Sequence, residues 1–163
     1  MATCSAVSSV GVHFRPPFAG ALVAANAAAT TLADALRQEL APWGVGVVLV
    51  EPASINSAAA DKVAHEAEAI LSGAPPASRA LYEDRFTKML AVMTRREQAG
   101  SPPDVAARTI VEALTTPRPG DVYLTGTFAH RLALISRLPT PALDAIRRRI
   151  FELPAPRSRV EET

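Results

Sequence analysis

The chain of 163 residues is 48% hydrophobic and 20% charged, with a net charge of +1. That composition suits one globular domain able to bury a core, and it excludes a disordered polar chain or a strongly basic surface that draws in nucleic acid. Cys4 is the only cysteine, which excludes an internal disulfide and suits a reducing compartment, with a buried free thiol as the expected state. No apolar run reaches the roughly 18 residues of a membrane span. The opening "MATCSAVSSVGVHFRPPF" lacks the charged start and long apolar stretch of a secretory signal, so the cytoplasm is the expected location.

The elements follow in chain order. "TCSAVSS", residues 3 to 9, is small, partly β-branched and followed by turn formers, which predicts a short buried strand. From Gly20 to Leu40 there is no proline, alanine abounds, and Leu32, Leu36 and Leu40 recur at four-residue spacing as one apolar helical stripe. Pro42 and Gly44 end that helix. "VGVVLVEP", residues 45 to 52, is an apolar run too short for a typical helix, as expected of a strand covered on both faces. Strand, helix and strand in this order indicate a βαβ unit with parallel strands. "PASINSAA" then leaves the C-terminal end of a strand, where open α/β sheets bind ligands.

Residues 58 to 100 read as two helices broken at "SGAPPAS", either a flap or a packed surface pair. "SPPDVAARTIVEALTT" begins a helix at Ser101, with prolines tolerated in its first turn. "PRPGDVYLTG" is a turn plus strand, and two helices separated at Pro139 complete the chain before a tail over 154–163. The expectation is one α/β unit over 1–153, a partial Rossmann-like, doubly wound parallel sheet of about three strands flanked by helices. One edge of such a sheet stays unpaired, and unpaired edges invite pairing.

Several ordered segments carry a resemblance: "SSVG", "PFAGALVAANAAATTLADALRQELAPWGVGVVLVEPASINS", "SPPDVAARTIVEAL" and "VYLTG". Together they resemble the C-terminal half of a short-chain dehydrogenase/reductase, of the steroid- and retinol-dehydrogenase-like kind. In that family a serine, a tyrosine thirteen residues later and a lysine four beyond that act with a nicotinamide cofactor. Ser9 matches the serine, but Leu22 and Asn26 stand where tyrosine and lysine are expected. Leucine has no proton to give, and asparagine has no charge with which to favour a tyrosinate. Tyr82 and Tyr123 are followed four residues later by Phe86 and Thr127, so neither restores the pair. Ser9 is then either a vestigial substrate-oxygen contact or a strand-end hydroxyl satisfied by backbone.

The family's glycine-rich phosphate turn, which places backbone amides at a helix N-terminus, has no counterpart in these residues. "GVG" at 44–46 precedes a strand and acts as a helix stop. "PASINS" resembles the segment under the nicotinamide, with Ala53 and Ser57 where glycine and threonine are usual. The resemblance therefore implies Pro52, Ile55 and Ser57 as vestigial cofactor contacts. NAD(P) is implied by the family, and no cofactor is expected on the isolated chain.

His13, His65 and His130 are scattered, and His65 with Glu68 reads as a solvated helix face without a third metal ligand. "RRRIF" at 147–151 is compatible with an anionic membrane surface or an acidic partner, and equally with a solvated basic helix end. The favoured function is a member of this family that is catalytically inactive alone and serves as a structural or interaction remnant. It would self-associate through the open sheet edge or through the helix at 20–41. The alternative is a component of an NAD(P)-dependent oxidoreductase for lipophilic alcohols or ketones, completed by a separate N-terminal half-domain.

Overall fold

The computed structural model describes residues 2–155. Its centre is β2 (Val45–Pro52), which pairs in parallel with β1 (Ala2–Val7) on one side and β3 (Val122–Thr125) on the other. The register sets Cys4 beside Val47 and Leu49 beside Val122. Alternation along β2 sends Val47 and Leu49 to one face and Val48 and Val50 to the other, and all four are buried. On the first face lies α2 (Gly20–Leu40), on the second α5 (Pro103–Thr115), through Ala113 and Ile110. The fold is thus the expected α/β arrangement, a partial Rossmann-like sheet of three parallel strands with helices on both faces.

The helix at 20–40 has the expected bounds, and its end follows the sequence. Residues 41–43 tighten into a 3₁₀ turn containing Pro42, and Gly44 adopts the left-handed conformation with its N–H on the Ala41 carbonyl, 3.0 Å away. The expected stripe is corrected, however. Leu32 is 59% exposed, and the residues that pack on the sheet are Ala33, Leu36 and Leu40. A strict four-residue spacing drifts around a helix of 3.6 residues per turn, and an alanine at 33 lets the backbone come close to Val47 and Leu49.

Strand β1 ends at Val7, two residues earlier than expected, although Ser8 and Val10 still donate their N–H groups to the carbonyls of Val50 and Pro52. It stands at the sheet edge, so Val7 is 50% exposed and Cys4 is exposed. The expected buried thiol is therefore wrong: an edge strand covered in part leaves that side chain in solvent. Helices α3 (Ala59–Gly73) and α4 (Pro76–Gln98) pack together as a pair, broken at Ala74 and Pro75 in extended conformation. The expected start at Ser101 is also corrected, because α5 begins at Pro103 and Ser101 bridges to Ile55 in strand fashion.

After β3 come α6 (Ala129–Ile135) and α7 (Thr140–Ile150). Phe151, Leu143 of α7 and Met89 of α4 form a second core with Phe14, which lies in the short helix α1 (Gly11–Phe14) after β1. Arg147, read from sequence as part of a solvated basic face, turns inward. Its Nε donates to the Phe14 carbonyl at 2.7 Å and its guanidinium lies 5.7 Å from the Phe14 ring centroid. The expected tail falls, apart from Pro154 and Ala155, outside the described residues. Among the described residues no helix is long and apolar enough to cross a membrane.

Two chain crossings are tight enough to require glycine: an added Cβ would run into the Ser54 carbonyl at Gly100 and, at Gly126 with φ +86°, into the Ala53 carbonyl, whereas nothing lies within 4 Å at Gly73. Gly126→Ala should cost roughly 2 to 4 kcal/mol, a fall in Tm of about 5 to 15 °C, while Gly73→Ala should stay within about 1 kcal/mol. Thermal unfolding of the two variants checks this; equal Tm values would contradict the crossing.

Candidate functional site

The loops leaving the C-terminal ends of the three strands converge on one edge of the sheet, where parallel α/β sheets bind ligands. After β1, Ser8 is buried: its hydroxyl donates to the Asn26 carbonyl at 3.0 Å and accepts from the Thr30 hydroxyl at 2.9 Å. After β2, Ala53 donates to the Thr125 carbonyl, and Ser54 turns through φ +42°. Ser101 N–H donates to the Ser54 carbonyl, and Asn56 N–H donates to the Ser101 carbonyl, both at 2.8 Å. The Ser101 and Thr127 hydroxyls, 2.9 Å apart, tie this bridge to the loop after β3. Arg15, Phe18, Ser54 and Phe128 all adopt positive φ in these loops. Non-glycine residues hold that conformation only where their surroundings enforce it.

Between the loops lies a small cavity of about 90 Å³. Ser9, Ala53, Ser54, Met93, Glu97 and Phe128 are among the residues that line it. It is well below the several hundred Å³ of a typical small-molecule pocket. Glu97 is the charged group most firmly built into it: Oε2 accepts the Ile55 N–H at 3.1 Å. Burial raises the Glu97 carboxyl above the ordinary carboxylate range, and the hydrogen bond from Ile55 offsets part of that rise.

The residues singled out from sequence do not all meet here. Ser9 lines the cavity, and its hydroxyl accepts the Gly11 N–H at 3.1 Å. Leu22 is 58% exposed on α2, and the Asn26 amide donates to the Leu22 carbonyl within the same helix, 3.0 Å away. Pro52 accepts from Val10 with its carbonyl, and Ile55 N–H is engaged by Glu97. Ser57 receives the Ala59 N–H at the start of α3, at 3.4 Å. Each of these polar groups is satisfied within the chain itself.

No protein-family model matches the chain, and no curated protein matches it.

A second polar centre escaped the sequence reading. Glu51, inside the apolar run of β2, is 2% exposed, and its Oε2 lies 2.8 Å from Nε2 of His13. A buried carboxylate requires such a partner, because leaving it unpaired costs several kcal/mol. The available signal was one acid in an otherwise apolar strand, with a histidine in the short segment that follows the neighbouring strand. His65 and Glu68 are exposed on α3.

The sign of the Glu97 effect follows from proton counting. A carboxyl raised in the folded state binds more protons there than in the unfolded chain. Its contribution is therefore full below the unfolded value of about 4.3 and is lost as pH rises through the folded value. The denaturant midpoint of the parent protein, measured against Glu97→Gln, should decline as pH rises from about 4 towards about 7. A difference that is flat or rises over that range would contradict the upward shift.

Proposed function

We propose that this chain is a half-domain of short-chain dehydrogenase/reductase type that performs no hydride transfer alone and works as a structural or interaction element. The observation that carries the reading is the position of Leu22 and Asn26. One is exposed and apolar, the other bonds its own helix, and neither presents a proton donor or cation beside Ser9. General acid catalysis contributes typically a hundred- to ten-thousandfold, and its donor is missing from this site. The Ser9 hydroxyl already accepts a backbone N–H, which supports the local, structural role for that residue.

Two surfaces favour self-association. Among the described residues no strand pairs with the outer edge of β1, which leaves ladder groups open there. The outer side of α2 exposes Leu22 and Leu32 together with Ala21, Ala25, Ala28 and Ala35, small residues that allow close helix packing. The second reading, an NAD(P)-dependent oxidoreductase completed by another chain bearing the nucleotide site, is favoured by that same β1 edge, because a further parallel strand would extend the sheet there.

Titration with NADH and NADPH, followed by nicotinamide fluorescence, should show no saturable binding to the purified chain; saturable binding would overturn the first reading. The double substitution Leu22→Tyr with Asn26→Lys should yield no NADPH-dependent turnover, since a tyrosine and lysine without a phosphate site cannot hold the hydride donor. Native mass spectrometry of the protein from its own cells separates the readings. A homo-oligomer supports the first, and a copurifying chain on the order of 100 residues supports the second.

A further inference from the structure

Helix α6 turns Ala129 and Leu132 inward, with Ile135 on the Phe14 core. One position earlier on each turn stands a row of another kind: Phe128, Arg131, Leu134 and Arg137, all exposed. Residues three apart on a helix are neighbours. The last pair is joined by a tighter turn, in which the Arg137 N–H donates to the Leu134 carbonyl at 3.1 Å. The row therefore runs along one outward side, alternating apolar and cationic. The Arg131 guanidinium lies 5.7 Å from the Phe128 ring centroid, so those two side chains meet. Leu134 is 67% exposed, and Leu138 beyond it is exposed too.

Two observations separate this row from an ordinary solvated helix face. The first is backbone strain: Phe128 is held at φ +65° between Gly126, which is locked against the Ala53 carbonyl, and the buried Ala129. That strain presents an apolar ring to solvent, where it does nothing for either core. The second is charge. From Gly126 to Ile150 the chain carries five arginines and one acid, Asp144, which is bonded to Arg147, although the whole chain has a net charge of only +1. Neither Arg131 nor Arg137 forms an ion pair among the described residues. Arg15 borders the same hollow as Arg137 and extends the cationic surface.

The occupant has to satisfy both halves of the alternation. A nucleic acid or an acidic peptide would engage the guanidinium groups and leave Leu134 in water. A second copy would set these arginines against themselves, and a purely apolar partner would bury them unpaired. We propose that the α6 corner docks on an anionic lipid surface through Phe128, Arg131, Leu134 and Arg137, lying among the headgroups without crossing the bilayer. Lipid phosphate and carboxylate oxygens accept from the guanidinium groups. The apolar side chains enter the acyl boundary between them, along which the arginine stems also lie. This surface is separate from Leu22 and Asn26, so the docking and the reading of the chain as an inactive half-domain stand or fall independently.

The test uses the whole chain and cosedimentation with vesicles of equimolar phosphatidylserine and phosphatidylcholine, set against vesicles of phosphatidylcholine alone. Binding to the anionic vesicles should be saturable, at least about tenfold tighter than to the neutral ones, and weaker when salt rises from about 0.1 M to about 0.5 M. Arg131→Gln with Arg137→Gln should keep the parent Tm and lose at least about tenfold in vesicle affinity. Leu134→Ser should also keep its Tm and bind severalfold more weakly, a loss that docking on an acidic protein or a nucleic acid would not produce. Orientation is read from tryptophan emission. Leu134→Trp combined with Trp43→Phe should shift to the blue on anionic vesicles, whereas Trp43 of the parent, in the turn before β2 at the opposite end of the strands, should not. No saturable binding, equal affinity for both vesicles, unchanged affinity in either variant, or a blue shift at position 43 without one at position 134 would each overturn the proposal.

Discussion

Burial of Val45–Pro52 on both faces is the constraint on which the structure depends. One strand presents Val47 and Leu49 to α2 and Val48 and Val50 to α5, so both layers are referenced to it and to each other through it. Its flanking strands are positioned by its ladder, and the loops that follow them inherit their starting points from its register. A charge in such a strand is an exception that has to be stabilised locally. Glu51 is that exception, and His13 is brought over it because α1 follows the end of the neighbouring strand.

The loops at the C-terminal edge owe their shape to backbone bonds more than to side-chain packing. Ala53 holds Thr125, Ser54 and Asn56 hold Ser101, and Ser101 holds Thr127. This chain of contacts joins segments far apart in sequence and leaves few polar groups of the loop at 52–57 free to meet a ligand. The second core, around Phe14, Met89, Leu143 and Phe151, clamps the same edge from the side through α4 and α7. Arg147 closes that clamp on the Phe14 carbonyl, which shows how a residue counted as surface charge can serve as an internal strut.

Much of the fold was legible because the signals were periodic or conformationally strict. The apolar run at 45–52, the alanine-rich helix ended by Pro42 and Gly44, and the break at Ala74 and Pro75 all rest on local rules. What was not legible depends on distance in space. Leu32 and Ala33 exchange roles because the angle at which α2 meets the sheet is set by close approach, not by residue hydrophobicity. Ser101 prefers a bridge to Ile55 over capping α5, a tertiary competitor invisible in "SPPD". The exposed state of Cys4 depends on which strand lies at the edge. For the site, Ser9 was placed at a strand end by position, but its pairing with Gly11, the engagement of Ile55 by Glu97, and the meeting of His13 with Glu51 each join groups whose proximity only the folded chain creates.

The composition of β1 bears on how the molecule behaves in a crowd. Ala2–Val7 contains no charged residue and no proline, the two devices by which peripheral strands commonly repel copies of themselves. Among the described residues no strand pairs with the outer side of β1, so its small side chains and outward backbone groups form the least protected stretch of the sheet.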